Sequence, residues 1–487
     1  MMLLLTAFAL LAGIAFSELA GDTAYKRVYQ HRSSMQPDGI PKGEADFITH
    51  LPIITIQTNG LEVPGERVPH AQEDVKQYTL ADDGDTRIVA DFAMYDSGGA
   101  NRLSDTAVVS SRARIRYRGN YSRGFYKKSY AISLVGADGR SQNPQPLGNL
   151  PDHDEWVLHG PWIDRTLVRN YLCYNIAGEV MAYAPNVRFV ELFFNDEYYG
   201  IYLLVEPITK GRGRLDLRKP DDGKDITSFI VRWDRANKGD QKLNNFSQYT
   251  NRADLSALDV RYPGKQVITP GRMKYIEQTI STIEKTLYSA NASDARKDYT
   301  SYLDLNSFAQ YFVLNEFFRN VDAGRYSTFL YKDMRSKVGL AVWDFDNAGD
   351  NNIDHAWNEQ GFTMQDAPWF SMLLMDEVFV NKVIDEYRRL REGPLNEEYL
   401  LRTIDETVTY LGDAVARNYQ KWDRAFNLNA YNGLDYLIPV ERNYKTHAES
   451  VEQFKSFIIA RGRWLDDHIE TLRQYCQDSK NTNILIH

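Results

Sequence analysis

The chain is poor in cysteine, with only Cys173 and Cys476 among its 487 residues. Two cysteines allow one disulfide at most, and without clustered histidines they exclude a structural zinc site. The sequence also has no low-complexity tract and no internal repeat. Its composition, 43% hydrophobic and 25% charged, is that of a globular protein with one large domain or two to three ordinary ones.

The chain also has no excess of positive charge. The 57 lysines and arginines face 66 aspartates and glutamates, which gives a net charge of -9. This balance argues against a general nucleic-acid binder. No stretch beyond the first 20 residues is long and apolar enough to span a bilayer.

The first 20 residues differ from the rest, because an apolar run from Met2 to about Phe16 is followed by small and polar residues. This pattern predicts a secretory signal peptide over residues 1–20, with Ala15 and Ser17 suited to the cleavage site. An uncleaved anchor is the alternative, but the run is short for a membrane span. We therefore expect a secreted or cell-envelope protein.

The mature chain divides into two halves of different character. After an extended polar entry at 21–45, residues 46–235 are rich in predicted strands, with turns of Gly, Asn and Asp between them. One helix, Asp164–Met181 with Asp164 as its N-cap, interrupts the strands. The predicted strands are "PIITIQTNG", "TRIVADFAMYD", "ARIRYRG", "KKSYAISLV", "TSFIVRWD" and the hairpin Val187–Glu206.

Residues 236–478 are mostly helical by spacing, and 479–487 form a tail. The strands "YSTFLYKD" and "VGLAVWDFD" are the exceptions in this half. The plan is an α+β fold, and a cleft is expected where the halves meet.

Two carboxylates end the second of these strands, at Asp344 and Asp346 in "WDFDNAGDNN". If the strand continues through them, both side chains share one face. Two acids at a strand end, followed by a glycine turn, favour a divalent-metal site. The alternative is a strand end capped by turn-forming Asp and Asn.

Positive charge concentrates near a turn in "RYRGNYSRGFYKKSYAISL". Gly119 allows close approach of the backbone, so the turn suits an anionic ligand such as a polyphosphate. Lys127 shares a face with small residues and is the first choice for a phosphate-binding lysine, with Lys128 second. A solvated basic hairpin is the alternative. The basic residues are Arg118, Arg123, Lys127 and Lys128.

A third acid, Asp322, follows a predicted amphipathic helix and precedes Asp344 by 22 residues. The intervening strand, turn and strand bring the two loops together across a hairpin. Asp322 could then orient or deprotonate a hydroxyl while Asp344 holds a metal. The alternative is a loop aspartate that caps local amides.

These clusters, in this order, resemble the spore-coat CotH kinase family. The resemblance rests on "RGNYSRGFYKKSYAISL", "DRTLVRNYL", "VRFVELFFNDEYYGIYLLVEPI", the Asp322 loop and "WDFDNAG". It covers roughly Phe47 to Asp467.

The resemblance implies an atypical protein-kinase-like bilobal fold that transfers phosphate from ATP to Ser or Thr hydroxyls of a protein substrate. The segment 118–122 would replace the glycine-rich loop, and the helix of 164–181 would replace the kinase C-helix. Asp322 would be the catalytic base, and Asp344, assisted by Asp346, would bind Mg²⁺ or Mn²⁺. The nucleotide-binding set would be Arg118, Gly119, Asn120, Ser122, Lys127 or Lys128, and Glu206 at the hinge.

The sequence departs from the kinase pattern at two sites. The glutamate expected in the kinase C-helix is not identifiable, because Glu179 is the only acid inside that helix and lies near its end. Ser327 and Thr328 stand where a kinase catalytic loop usually carries an asparagine that holds a second metal. Two alternatives therefore stay open. One is a non-catalytic pseudokinase, adhesin or scaffold, and the other is nucleotidyl transfer on the same fold.

Overall fold

A computed structural model describes residues 27–33, 47–68, 77–235, 237, 239–249, 256–288, 296–427 and 436–476. The predicted signal peptide and the tail at 479–487 lie outside these ranges. Within them, no helix has the length and apolar character needed to cross a membrane.

Seven strands of the N-terminal half close into a barrel, in the order β2-β3-β5-β6-β7-β9-β8. All neighbours are antiparallel except β2 and β8, which are parallel and close the barrel. Two short strands, β1 and β4, pair beside it. In chain order the strands are β1 (Ile48–Thr49), β2 (Ile53–Gln57), β3 (Ile88–Tyr95), β4 (Asn101–Arg102), β5 (Val109–Arg118), β6 (Ser129–Val135), β7 (Glu155–His159), β8 (Val187–Phe194) and β9 (Glu197–Val205).

Every second residue of the barrel strands points inward, as the strand period requires. Ile54, Phe92, Ile132 and Trp156 are among the inward side chains, and each is at most 2% exposed. The interior is therefore a packed core.

A second sheet of four antiparallel strands joins the last predicted strand of the N-terminal half to three strands of the C-terminal half, in the order β11-β10-β12-β13. Its strands are β10 (Phe229–Arg235), β11 (Ser256–Tyr262), β12 (Thr328–Lys332) and β13 (Gly339–Ala341). The helices are α1 (Gln30–Ser33), α2 (Arg169–Val180), α3 (Pro270–Tyr288), α4 (Leu305–Phe317), α5 (Pro368–Leu373), α6 (Glu377–Arg391), α7 (Glu397–Leu411), α8 (Asp413–Lys421) and α9 (His447–His468).

One continuous apolar core joins the outer face of the barrel to the helical half. It contains Phe189 of β8, Tyr171 and Ile176 of α2, Val231 of β10 and Leu340 of β13. Helix α2 therefore packs between the barrel and the second sheet, where it can reach the turn that follows β13.

The α+β class predicted from the sequence is confirmed, and all the predicted N-terminal strands form. The closed barrel was not expected. The predicted helix start was wrong, because α2 begins at Arg169. The Asp164 carboxylate accepts a hydrogen bond from the Arg169 amide at 2.9 Å and pairs with its guanidinium at 2.7 Å, which fixes an irregular turn before the helix.

The strand predicted through "WDFD" was also wrong at its C-terminal end. β13 ends at Ala341, and Asp344 has a left-handed φ of +64°. A left-handed residue breaks the pleat of a strand. Strand alternation therefore does not place Asp344 and Asp346 on one face, and their orientation depends on contacts made by the turn.

Candidate active site

The turn after β13 is held in its left-handed conformation by neighbours on both sides. The amide of Asp344 donates to the Tyr174 hydroxyl of α2 at 3.0 Å, and its carbonyl accepts from Asn320 Nδ2 at 3.1 Å. A left-handed non-glycine residue costs about 1–3 kcal/mol, so these contacts offset local strain. Ser327 stands where a kinase would carry the metal-binding asparagine. Its hydroxyl lies 3.5 Å from Asp344 Oδ2.

Asp346 is positioned by side chains from two other elements. Asn170, in the first turn of α2, donates to Asp346 Oδ1 at 2.6 Å and accepts from the Phe345 amide at 2.8 Å. His159, the last residue of β7, has Nε2 at 3.1 Å from the same Oδ1. The barrel, the helix and the turn thus converge on one carboxylate.

Asp322 lies in the loop between α4 and β12. Its Oδ2 accepts a hydrogen bond from Asn347 Nδ2 at 2.9 Å, and its Oδ1 lies 3.9 Å from Arg235 Nη2 at the end of β10. An amide side chain from the turn after β13 therefore contacts Asp322.

The three acids, Asp322, Asp344 and Asp346, form what we call the carboxylate cluster. Burial, with the charges of Asp346 and Asp322, raises the pKa of Asp344 to about 7, against the opposing charges of His159 and Arg118. Burial also raises the pKa of Asp322, against the opposing charge of Arg235. For His159, burial lowers the pKa, but the Asp346 carboxylate outweighs it and the net pKa is raised. The cluster therefore carries unfavourable negative charge that a cation would relieve.

Arg118, at the end of β5, supplies positive charge beside the cluster. Burial lowers its pKa, and the charges of Asp344 and Asp346 oppose that shift. Its guanidinium carbon lies 5.2 Å from the centroid of the Trp343 ring. No described residue accepts a hydrogen bond from this guanidinium, so its donors are available to an anion.

The donor set fits a divalent cation that shares its coordination with a ligand. Asp344 Oδ1 and Asp346 Oδ2 accept no hydrogen bond from any described residue. Across the described ranges, no three His, Cys, Asp or Glu side chains converge to hold a metal by themselves. Mg²⁺ is usually bound in this way, by one or two carboxylates together with phosphate and water oxygens.

The turn predicted to contact phosphate is tightly packed. Gly119 has a φ of +104°, and a Cβ atom there would lie 1.9 Å from Ser122 Oγ, so only glycine fits. Asn120 Oδ1 accepts from the Tyr78 hydroxyl at 2.9 Å. Arg123 turns inward and donates to the Gly119 carbonyl at 2.6 Å.

Lys127, Lys128 and Glu206 are not brought together with the carboxylate cluster. Lys127 is 1% exposed, and its Nζ donates to the Ile201 carbonyl at 2.6 Å and to Asn418 Oδ1 at 2.7 Å. Lys128 donates to the Arg123 carbonyl and pairs with Glu66. Glu206 is fully buried, and its carboxylate accepts hydrogen bonds from the backbone amide and the side-chain Nδ2 of Asn186.

Sequence analysis did not assign three residues of the site: His159, Asn170 and Asn347. Asn170 belongs to the motif "DRTLVRNYL", but the motif gives no sign of the carboxylate 176 residues later that it contacts. Asn347 lies in the turn "WDFDNAGDNN". Its place next to Asp346 was the signal that could have predicted an amide side chain in contact with the acids. His159 ends a strand, β7, that was not predicted.

Comparison with known proteins identifies the family of the chain. A sequence model of the family described as CotH kinase protein matches residues 115–465. This range contains the basic turn, α2 and all three carboxylates. The chain belongs to the CotH kinase protein family. A relative, inner spore coat protein H of Bacillus subtilis (strain 168), is 23% identical over 362 residues, which cover 74% of this chain and 87% of the relative.

Proposed function

We propose that this CotH family member is an ATP-dependent phosphotransferase that phosphorylates Ser or Thr hydroxyls of proteins outside the cytoplasm. The observation that carries the proposal is the convergence of Asp322, Asp344 and Asp346 beside the unpartnered guanidinium of Arg118. Phosphoryl transfer depends mainly on positioning and on charge stabilisation, and this set of groups can supply both.

In this proposal Asp344 and Asp346 would hold Mg²⁺ or Mn²⁺, which neutralises phosphate charge when bound. Arg118 binds the oxygens of the phosphate chain, because its donors lie free beside the acids. The turn at 119–122 shapes the end of the site above Arg118. Asn170 and His159 hold Asp346 in place through its Oδ1.

Asp322 acts as the base. The acceptor oxygen forms a bond to the terminal phosphorus, the bond from that phosphorus to the bridging oxygen breaks, ADP leaves, and the hydroxyl proton passes to Asp322. The raised pKa of Asp322 suits proton acceptance. Asn347 orients the carboxylate by donating to its Oδ2.

The bilobal arrangement is part of the same proposal. The barrel would act as the N-terminal lobe and the helical half as the C-terminal lobe, with the segment from Glu206 as the connection. Export is proposed as well, because the first 20 residues have a signal-peptide pattern and the relative is a spore coat protein by name. N-terminal sequencing of the exported chain would test whether this segment is removed.

The test of the activity is transfer of label from γ-labelled ATP to a serine-containing acceptor protein, with Mg²⁺ or Mn²⁺. Asp322→Asn and Asp344→Asn should each lower the rate by at least about 100-fold. Asp354→Asn is the matched control, since this exposed acid of the same loop touches none of the cluster. Equal rates in the wild type and both cluster variants would refute the proposal.

A further inference from the structure

Residues 27–33 belong to the polar entry expected from the sequence, and the structure builds them into the fold. Tyr29, Gln30 and His31 are each at most 4% exposed. Gln30 pairs with the backbone of β8, because its Nε2 donates to the Phe189 carbonyl at 3.0 Å and its Oε1 accepts from the Phe189 amide at 2.6 Å. We call residues 27–33 the N-terminal segment.

Arg27 joins this segment to α2 through its guanidinium. Its Nε donates to Asn175 Oδ1 at 2.9 Å, and its Nη2 donates to the Tyr174 carbonyl at 3.1 Å. The other acceptors lie just before β8 and are the Ala184 and Pro185 carbonyls and Asn186 Oδ1. The guanidinium therefore ties α2 to the chain that enters the barrel.

The N-terminal segment follows one face of α2. Besides the contact of Arg27 with position 175, the His31 amide donates to the Tyr171 hydroxyl at 3.3 Å, and the Tyr29 hydroxyl donates to Glu179. Positions 171, 175 and 179 are four residues apart, which is the spacing of one helix face. Glu179, the only acid of α2, thus bonds to this segment and pairs with no lysine in the described part of the chain.

The other end of the segment is held by α7. Arg32 Nε donates to Glu406 Oε2 at 3.1 Å, and Arg32 Nη2 donates to Thr403 Oγ1 at 2.9 Å. His31 Nε2 lies 3.3 Å from the same Glu406 oxygen. The segment therefore links α2 to a helix of the C-terminal half.

The carboxylate cluster depends on the same helix. Asn170 donates to Asp346, and the Tyr174 hydroxyl accepts from the Asp344 amide. Arg27 binds the carbonyl of that same Tyr174. A shift of α2 away from Arg27 would therefore disturb the contacts to Asp344 and Asp346 together.

Gly178 is an independent sign of this fit. It lies inside α2, where glycine is an unfavourable choice and alanine is the best helix former. A Cβ atom at this position would lie 2.7 Å from Arg27 Cδ and Nε and 2.8 Å from its Cζ. Glycine is thus the residue that lets Arg27 cross the helix at its present distance.

We propose that Arg27 is a positioning residue for the carboxylate cluster, because it holds α2 where Asn170 and Tyr174 can place Asp346 and Asp344. The N-terminal segment would thereby take over the task of the lysine–glutamate pair that fixes the C-helix of protein kinases. This inference rests on the proposed function for what the acids do, but their placement can be measured without metal, nucleotide or catalysis.

The test is hydrogen–deuterium exchange of the Asp344 and Phe345 amides in the full chain, without metal. Both amides are protected by hydrogen bonds to side chains of α2. Arg27→Ala should make them exchange about tenfold faster or more, and Arg27→Lys should lie between this variant and the wild type. Arg272→Ala is the matched control, because this buried arginine also donates to backbone carbonyls but contacts neither α2 nor the cluster.

Gly178→Ala separates two explanations by the sign of its effect. If the intrinsic stability of α2 decided the placement, alanine should slow the exchange of these amides, because it favours the helix. We expect faster exchange, as in Arg27→Ala, because the added methyl group displaces the guanidinium. Asn175→Ala should have little effect, since Arg27 keeps the Tyr174 carbonyl and its acceptors before β8.

In transfer assays, Arg27→Ala should need about tenfold more Mn²⁺ or Mg²⁺ for the half-maximal rate. If Arg27→Ala does not fold, Gly178→Ala and Arg27→Lys carry the same comparison. Unchanged exchange of the two amides in these variants, slower exchange in Gly178→Ala, or equally fast exchange in Arg272→Ala would overturn the positioning role. The expected exchange differences in a chain that transfers no phosphate would instead refute the proposed function and leave the positioning role standing.

Discussion

Asn170 Nδ2 donates a hydrogen bond to Asp346 Oδ1 at 2.6 Å, and Asn170 Oδ1 accepts one from the backbone amide of Phe345, the residue before Asp346. One amide side chain on α2 thereby fixes both the carboxylate and the backbone of the turn that carries it. The contact links the helix that would replace the kinase C-helix to the proposed metal site, without any lysine–glutamate pair.

This contact predicts the effect of Asn170→Ala. The variant should need at least tenfold more Mn²⁺ or Mg²⁺ for half-maximal transfer, because loss of an outer contact to a ligand carboxylate weakens metal binding by about 10–100-fold. The measurement is a metal titration of the transfer rate at saturating ATP. Asn175→Ala is the control, because this buried amide of α2 contacts the Tyr171 carbonyl and Arg27 and none of the acids. If both variants shifted the metal requirement equally, general loosening of the helix would explain the effect.

The raised pKa of Asp344 predicts a pH dependence of stability. Its folded-state pKa of about 7 lies above the ordinary value of 3.8, so the unfolded chain loses this proton first as the pH rises. Stability should therefore fall between about pH 4 and pH 7 and stay low above pH 7. Asp344→Asn should raise the Tm at pH 8 in metal-free buffer and leave it nearly unchanged at pH 4, since asparagine also tolerates a left-handed φ.

Thermal unfolding at the two pH values measures this difference. The expected gain at pH 8 is about 1–2 kcal/mol after allowance for solvent screening of a half-buried group. An equal change in Tm at both pH values would show that the carboxylate charge is not responsible.

The hydrogen bond from Asn347 to Asp322 predicts a shift in the pH–rate profile. That bond lowers the pKa of Asp322, so Asn347→Ala should raise it. A base with a higher pKa stays protonated to higher pH, and the acid limb of kcat should therefore move upward in pH. Asn352→Ala is the control, since Oδ1 of this turn asparagine accepts from the amides of Asp354 and His355 and contacts none of the three acids. An unshifted limb in Asn347→Ala would assign the proton acceptor elsewhere.

The two lysines of the basic turn can be tested separately. Lys127 is buried, and burial lowers its pKa well below the ordinary value. Its hydrogen bonds to the Ile201 carbonyl and Asn418 join β9 to α8. Lys127→Met should therefore lower the Tm and leave KM for ATP within twofold, with Lys128→Met as the comparison on the half-buried neighbour. A large rise in KM for ATP in Lys127→Met, at unchanged Tm, would restore the phosphate-binding role expected from the sequence.

Much of the fold was predictable because hydrophobic periodicity reports burial directly. Helix α4, predicted before Asp322, and the hairpin β8–β9 follow their predicted segments, and the segment 236–478 is mostly helical as predicted. Closure of the barrel depends on the parallel pairing of β2 with β8, which is long-range and leaves no local pattern.

The site was partly predictable for a similar reason. The spacing of Asp322 and Asp344 across a short hairpin predicts that they lie close together. In the structure, the charge of Asp322 contributes to the raised pKa of Asp344. The contacts of His159 and Asn170 with Asp346 depend on packing between the barrel, α2 and the turn. The left-handed Asp344 was also hidden, because an aspartate in an apolar run has the pattern of a strand end.

The most direct test of the central claim is the intact mass of the purified chain, and of a serine-rich acceptor protein beside it. Both are measured before and after incubation with ATP and Mn²⁺ or Mg²⁺. The account predicts phosphate-sized increments with the wild type and none with Asp344→Asn. Nucleotide-sized increments, or no increment together with no rise in Tm on addition of ATP and metal, would contradict it.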